Sequence, residues 1–316
     1  MYVISRVGLH AIFLLSVRFK CLNPFSNLKF SKLIPYLTII PIAIGIHSCE
    51  IINPEEGIPS YIHINSIQLQ INDSIKEGSS SHKITDAWIF IDDELLGAYE
   101  LPVTFPVLKE GKHILKIKAG IKVNGIANTR DQYPFYDFFT ENINLIKGST
   151  IEVSPVIEYY NTTVFKWIED FDSVGISLEP ESNSDTTINI INASSLVFEG
   201  TGSGELTMNS NMVIAEVFTS TDYQLPNNKT PVYLEFNYKN NFTFVVGIYS
   251  NLPSQSIQKR ILWINTSDEW NKIYIDLTTD VSAETTALDY KIFFGVNNIN
   301  NASPKIYLDN IKLVHY

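Results

Sequence analysis

From residue 60 onward the chain alternates apolar and polar residues with a period of two, and turn-forming residues break the pattern every few positions. No sustained 3.6-residue period occurs there. Alternation by two puts successive side chains on opposite faces of a strand, so each apolar file needs a second layer to cover it. The chain is therefore expected to be all-β. Tyr61–Ile71 (YIHINSIQLQI) carries Ile62 and Ile64, then Ile67, Leu69 and Ile71, and the change of phase near Ser66 predicts a bulge. Residues 87–91, 113–118, 142–146 and 150–157 predict further strands. EGSSS (77–81), DDELLG (92–97), KEGK (109–112) and KGS (147–149) read as the turns between them. From Trp167 the strands lengthen. Residues 167–173, 195–200, 204–210, 232–239, 242–250, 259–265, 269–278, 290–298 and 305–314 predict strands of a second sandwich. YLEFNYKNNFTFVVGIYS within it predicts a hairpin turning at Asn240-Asn241. The expected architecture is two tandem β-sandwiches, a small immunoglobulin-like one over 61–160 and a jelly roll over 161–316, after an N-terminal signal segment.

Charge divides the chain at Cys49. Residues 1–48 hold five Lys/Arg and no acid, a net charge of +5; the whole chain is −11, so the remainder is −16. Phosphate contact needs a Lys/Arg surface, so nucleic acid is not an expected partner. Cys21 and Cys49 are the two cysteines, and none follows residue 49. That excludes a disulfide framework and a Cys-based zinc site from the body. The six histidines show no metal-ligand spacing.

Leu33–Ile46 (LIPYLTIIPIAIGI) is uncharged for 14 residues behind Lys29 and Lys32. This is shorter than the ~20 residues of a membrane span and suits the apolar region of a signal peptide. The run ends in Ile46-His47-Ser48-Cys49, which resembles a bacterial lipobox. The resemblance implies removal of residues 1–48 and diacylglycerol and acyl lipid on Cys49, anchoring the protein to a membrane. Glu50, Glu55 and Glu56 follow, similar to the acidic surface-export signals of Bacteroidota lipoproteins. They imply an acidic tether over 49–60 and an outer-membrane, cell-surface location. An uncleaved anchor with a free thiol is the other reading, and the apolar run Val7–Val17 keeps it open.

Residues 84–120 resemble a PEGA-type module, a small envelope β-sandwich, through Asp92-Asp93, Gly97, Pro102 and Glu110-Gly111-Lys112-His113. Asp93 lacks the glycine that usually follows it. His113 reads as structural. TRDQYPFYDFF (129–139) reads as a core plug in preference to a docking patch.

Residues 165–316 resemble galactose-binding-like and carbohydrate-binding-module jelly rolls. The resemblance rests on Glu169-Asp170-Phe171-Asp172, Glu199–Gly204, Trp270–Leu277 and Tyr307–Leu313. It implies that the first and last strands are neighbours and that Glu169, Asp170, Asp172 and Asp309 hold a structural Ca²⁺ through carboxylate oxygens. The competing reading is a solvent-facing acidic edge. It also implies a sugar surface, for which Tyr238, Trp263 and Trp270 are the chosen stacking candidates, with Tyr249 and Tyr274 beside them. No catalytic residue is expected. Asp170 and Asp172 have no partner carboxylate motif, no G-x-S-x-G occurs, and GTGSG (200–204) lies between strands and reads as a flexible turn, not a phosphate loop. The first functional expectation is a non-catalytic adaptor docking to an outer-membrane protein or an assembly or secretion complex. The alternative is a glycan-binding surface lipoprotein.

Overall fold

The computed structural model describes residues 57–316; the leader, Cys49 and the acids just after it lie outside the described residues. The first sandwich comprises β1 (Ser60–Ile64), β2 (Gln68–Leu69), a one-turn helix α1 (Ser74–Glu77), β3 (Asp86–Ile91), β4 (Glu94–Glu100), β5 (Val103–Val107), β6 (Gly111–Lys122), β7 (Arg130–Gln132), β8 (Phe139–Leu145), β9 (Thr150–Val153) and β10 (Val156–Ile157). The second comprises β11 (Val164–Glu169), β12 (Leu178–Pro180), β13 (Ile188–Ile191), β14 (Ser203–Thr207), β15 (Ile214–Thr219), β16 (Val232–Asn240), β17 (Phe244–Asn251), β18 (Ser256–Ile264), β19 (Ser267–Asp276), α2 (Thr278–Ala283), β20 (Asp289–Asn297) and β21 (Lys305–His315).

In the first sandwich a three-stranded sheet, β5-β1-β9, packs on the sheet β4-β3-β6-β7, with β8 also paired to β6. Ile62, Ile64, Phe105 and Val153 from one layer meet Ile89, Leu115, Ile117 and Ile143 from the other. The phase change near Ser66 ends β1, and β2 begins a separate two-stranded pairing with β10. The β3–β4 turn is tighter than DDELLG suggests, because Glu94–Glu100 is already strand. Asp92 and Asp93 take φ of +54° and +65°, the pair of left-handed residues that a two-residue hairpin loop requires and that Asp tolerates. His113 is structural, as expected: its Nδ1 lies 2.6 Å from Asp92 Oδ2 and its Nε2 3.1 Å from the Glu110 carbonyl.

The second sandwich faces a six-stranded sheet, β13-β14-β21-β16-β19 with β11 also on β21, against a five-stranded sheet, β12-β15-β20-β17-β18. First and last strands are neighbours, with Glu169 opposite Ile311. Three expectations are corrected. The segment 195–200 is turn, not strand. Strands β12, β13 and β15 are present where none was expected. And β16 and β17 are not a hairpin. β16 pairs with β19 and β21, β17 with β18 and β20, so the chain crosses between sheets at residues 241–243. Asn240 holds that corner: its amide donates to the carbonyls of Phe242 (2.8 Å) and Asn265 (3.2 Å).

Residues Ile58–Tyr316 form one compact unit, because the outer face of β16, β19 and β21 is covered by the first sandwich. Tyr133, Phe135 and Tyr136 are fully buried there. Tyr133 stacks at 4.6–5.4 Å from the rings of Tyr136, Tyr274 and Tyr233. The aromatic segment is thus core, as expected, but the core of a seam between the two sandwiches. Within the seam Glu235, 0% exposed, sits 3.1 Å from Lys272 Nζ and accepts from the hydroxyls of Tyr133 (2.6 Å) and Tyr159 (3.0 Å). Lys312 is its cross-strand neighbour and donates to the Ser79 carbonyl at 2.6 Å. Burial pushes the Glu235 carboxyl up, but Lys272 and Lys312 with the Tyr133 hydroxyl outweigh it and hold the group below the usual carboxylate range.

Candidate functional site

The expected calcium acids are placed first. Glu169 accepts from Phe171 N (3.0 Å) and Ser177 N (2.7 Å), and Asp170 caps Asp172 N at 3.1 Å. Asp172 Oδ1 takes Thr201 N (2.5 Å), Thr201 Oγ1 (2.9 Å) and Gly202 N (3.1 Å). Asp309 accepts from Ser203 Oγ (2.6 Å) and Asn310 N (2.7 Å). Each carboxylate is thus committed to local donors, and among the described residues no three His, Cys, Asp or Glu side chains gather as a metal-holding group. The same bonds correct the reading of GTGSG as flexible. It is wrapped onto Asp172, and Gly200 is required, since a Cβ there would overlap that carboxylate at φ +69°.

The proposed sugar residues separate sharply. Tyr238 and Tyr274 are 7% and 1% exposed, so neither can present a ring face. Trp270 is half-buried and leans on Phe198 with ring centroids 5.4 Å apart. Trp263 is 51% exposed and stands on the outer face of the five-stranded sheet.

That face is set by register. Trp263 lies opposite Val245, Val245 opposite Gly295, and Gly295 opposite Glu216, which makes one row across four strands. The adjacent row runs Arg260, Gly247, Phe293, Phe218, and the next Gln258, Tyr249, Lys291. Arg260 and Trp263 are three residues apart, and plain alternation would send them to opposite faces. A bulge in β18 between the partners of Val246 and Gly247 inserts one residue and brings both to the outer face.

The two strand glycines shape the surface. A Cβ on Gly247 would overlap the Phe293 ring and the Lys259 carbonyl, so the Phe293 ring lies down over the strand there. Gly295 leaves a depression of about 70 Å³ lined by Trp263, Arg260, Glu216, Ile214, Val245 and Asn297. A Cβ there would stand 3.4 Å from Glu216 Oε2. Glu216 is held by the Tyr249 hydroxyl and by Gln258 Nε2 at 2.8 Å and 2.9 Å. Burial, then the Glu216 carboxylate, push the Tyr249 hydroxyl up, so it stays a donor to Glu216. The site therefore offers an exposed indole face, a fixed carboxylate, an amide and a guanidinium around a shallow floor. This combination stacks on the apolar face of a ring and hydrogen-bonds its rim hydroxyls.

Of the side chains on this face, the sequence singled out Trp263 and, beside it, Tyr249. It missed Glu216, Gln258, Arg260 and Gly295. The signal for them was a lone glycine inside two apolar strands, VVGIYS and IFFGVN, since glycine in a strand marks close approach.

No family model matches the sequence, and no curated protein matches it. Among solved structures, the chain is similar to carbohydrate-binding modules of the β-sandwich superfamily studied for promiscuous specificity. There the identity is 17%, over 73% of this chain and 85% of that one, with a TM-score of 0.33. It is similar to a family 29 carbohydrate-binding module complexed with mannohexaose, at 14% identity over 48% and 91% of the two chains, TM-score 0.32. It is also similar to the enzymatically active domain of a bacteriophage tailspike protein. The identity is 15% over 46% of this chain but 20% of that one, TM-score 0.35.

Proposed function

We propose that this protein is a non-catalytic glycan-binding lipoprotein of the cell envelope, and that its binding face is the outer face of the five-stranded sheet around Trp263. One observation carries the reading: a half-exposed tryptophan beside a glycine-floored depression whose walls include a fixed carboxylate, Glu216, and the Arg260 guanidinium. Stacking sets the plane of the sugar ring, and Glu216, Gln258 and Arg260 select its hydroxyl pattern. The lipid on Cys49 belongs to the same proposal, since it would hold the binding face at the membrane surface. Mass spectrometry of the mature N-terminus tests it: an acylated Cys49 supports the anchor, and an intact residue 1–48 segment contradicts it. For the face, a glycan array probed with the native protein and with Trp263→Ala is the test. A set of glycans bound by the first and lost by the second supports the reading; no bound glycan, or identical sets, contradicts it.

The adaptor reading retains one support. β4 is an edge strand, and its Leu95 and Leu96 are 50% and 39% exposed near the Phe90–Phe138 pair. An edge strand with exposed apolar side chains is a template for another chain. Recovery of a stoichiometric partner from native membranes, lost on Leu95→Lys, would favour it over glycan binding.

A further inference from the structure

A second pocket lies in the seam between the sandwiches, against the six-stranded sheet, whereas Trp263 stands on the five-stranded one. It encloses about 70 Å³, and its wall is made by Lys83 and Lys122 from the first sandwich and by Tyr238, Asn271, Lys272 and Tyr274 from the second. That wall contains three lysines and no Asp or Glu, in a chain whose net charge after residue 48 is −16. Of these lysines Lys83 is exposed, Lys122 half-buried and Lys272 buried.

Their partners do not saturate them. Lys272 Nζ lies 3.1 Å from Glu235 Oε2, its one carboxylate neighbour among the described residues, and an ammonium has three donors. Lys122 Nζ stands 3.6 Å from Glu100, which is already engaged by Arg130 at 3.0 Å. Lys83 Nζ reaches the Asn271 amide oxygen and, among the described residues, no carboxylate. Tyr238 is 7% exposed and its hydroxyl accepts from Asn271 Nδ2 at 2.9 Å, so its own proton is left to donate. Burial and the nearby charge of Lys122 also pull the Lys83 ammonium below its ordinary range, which a bound anion would reverse.

We propose that this pocket is a binding site for a small oxyanion, a phosphate or carboxylate group held by Lys83, Lys122 and Lys272 with the Tyr238 hydroxyl. Because its wall draws on both sandwiches, the bound anion ties them together and raises the stability of the pair. The site does not depend on the glycan face, and the source of the anion is either a free ion or an acidic substituent of a larger ligand.

Calorimetric titration of the protein with inorganic phosphate and, separately, with glucuronate tests it, each with a thermal melt against sodium chloride at matched ionic strength. Binding with a rise in Tm beyond the chloride control is expected for at least one probe. Phosphate alone marks a free-ion site, and glucuronate a site for acidic sugars. Lys83→Ala and Tyr238→Phe are expected to weaken binding about ten-fold each, the scale of one charge-assisted or buried hydrogen bond, while Lys229→Ala, on a distant loop, leaves it unchanged. Neither probe exceeding chloride, or equal binding by native protein, Lys83→Ala and Tyr238→Phe, would overturn the proposal. Tyr238→Phe keeps the buried ring, and Lys83→Ala alters an exposed side chain, so loss of the fold does not confuse the result.

Discussion

Glu235→Gln isolates the ionic centre of the seam. The substitution keeps shape and removes the charge, leaving the Lys272 ammonium, 5% exposed, with no counter-ion at Glu235's position; Lys312, 0% exposed, is already pulled down to about 7 by burial and adds less. Removing one partner of a buried pair costs about 3–5 kcal/mol, because the remaining charge is uncompensated. Loss of the charge-assisted acceptor for the Tyr133 and Tyr159 hydroxyls acts in the same direction. With a urea m-value of about 3 kcal/mol/M for a body of this size, the midpoint should fall by roughly 1–1.7 M. The control is Glu110→Gln, which breaks a 2.8 Å pair with Lys147 whose side chains are 60% and 56% exposed; surface pairs are worth about 0–1 kcal/mol, so the midpoint should barely move. The triple variant Glu235→Gln, Lys272→Met, Lys312→Met should recover most of the loss, since it removes the orphaned charges. Equilibrium urea unfolding at pH 7.5, followed by tyrosine and tryptophan fluorescence, reads all three. If Glu235→Gln and Glu110→Gln shift the midpoint equally, the seam is not the desolvated ionic interface described above.

Asp309 gives a pH signature. Burial, reinforced by the Asp172 charge, pushes its carboxyl up to about 7 against the donors Ser203, Asn310 and Glu199. The folded state therefore holds the proton more tightly than the unfolded chain, near 4. The stabilisation is full at low pH and is lost as pH rises through about 7. Asp309→Asn should flatten that decline in urea midpoints measured from pH 5 to 8; an unchanged slope would assign it to other groups. Gly247→Ala should cost about 1–3 kcal/mol by forcing the Phe293 ring and the β18 backbone apart, read as a lower thermal midpoint. Asp172→Ala removes three hydrogen bonds from residues 201–202. It should make that loop the first site of proteolysis, seen by mapping early fragments.

Alternation in the sequence located strands whether one or both of their faces are buried. β3, β8 and β9 show it with one face wetter than the other, and their expected positions hold to within a few residues. Strands β16 and β21 look much the same in sequence, yet both of their faces are buried. The sequence carries no sign that Glu235 and Lys312 are buried, because the seam that covers them is made by Tyr133, Phe135 and Tyr136, about a hundred residues or more away in the chain. The supposed β16–β17 hairpin failed for a related reason. Asn-Asn between apolar strands signals a reversal, but nothing local distinguishes a return in the same sheet from a crossing to the opposite one. At the candidate site, the bulge in β18 was invisible. KRILWIN alternates acceptably as a regular strand, and only cross-strand register reveals that Arg260 and Trp263 share a face.

Affinity electrophoresis through polysaccharide-containing gels tests the central claim most directly. Native protein, Trp263→Ala and Arg260→Ala would be run beside Leu95→Ala, a change on the other sandwich. The account predicts that at least one polysaccharide retards the native protein and Leu95→Ala equally, while Trp263→Ala migrates as in a plain gel and Arg260→Ala is intermediate. Retardation of Trp263→Ala equal to that of the native protein, or retardation of none by any polysaccharide, would contradict it.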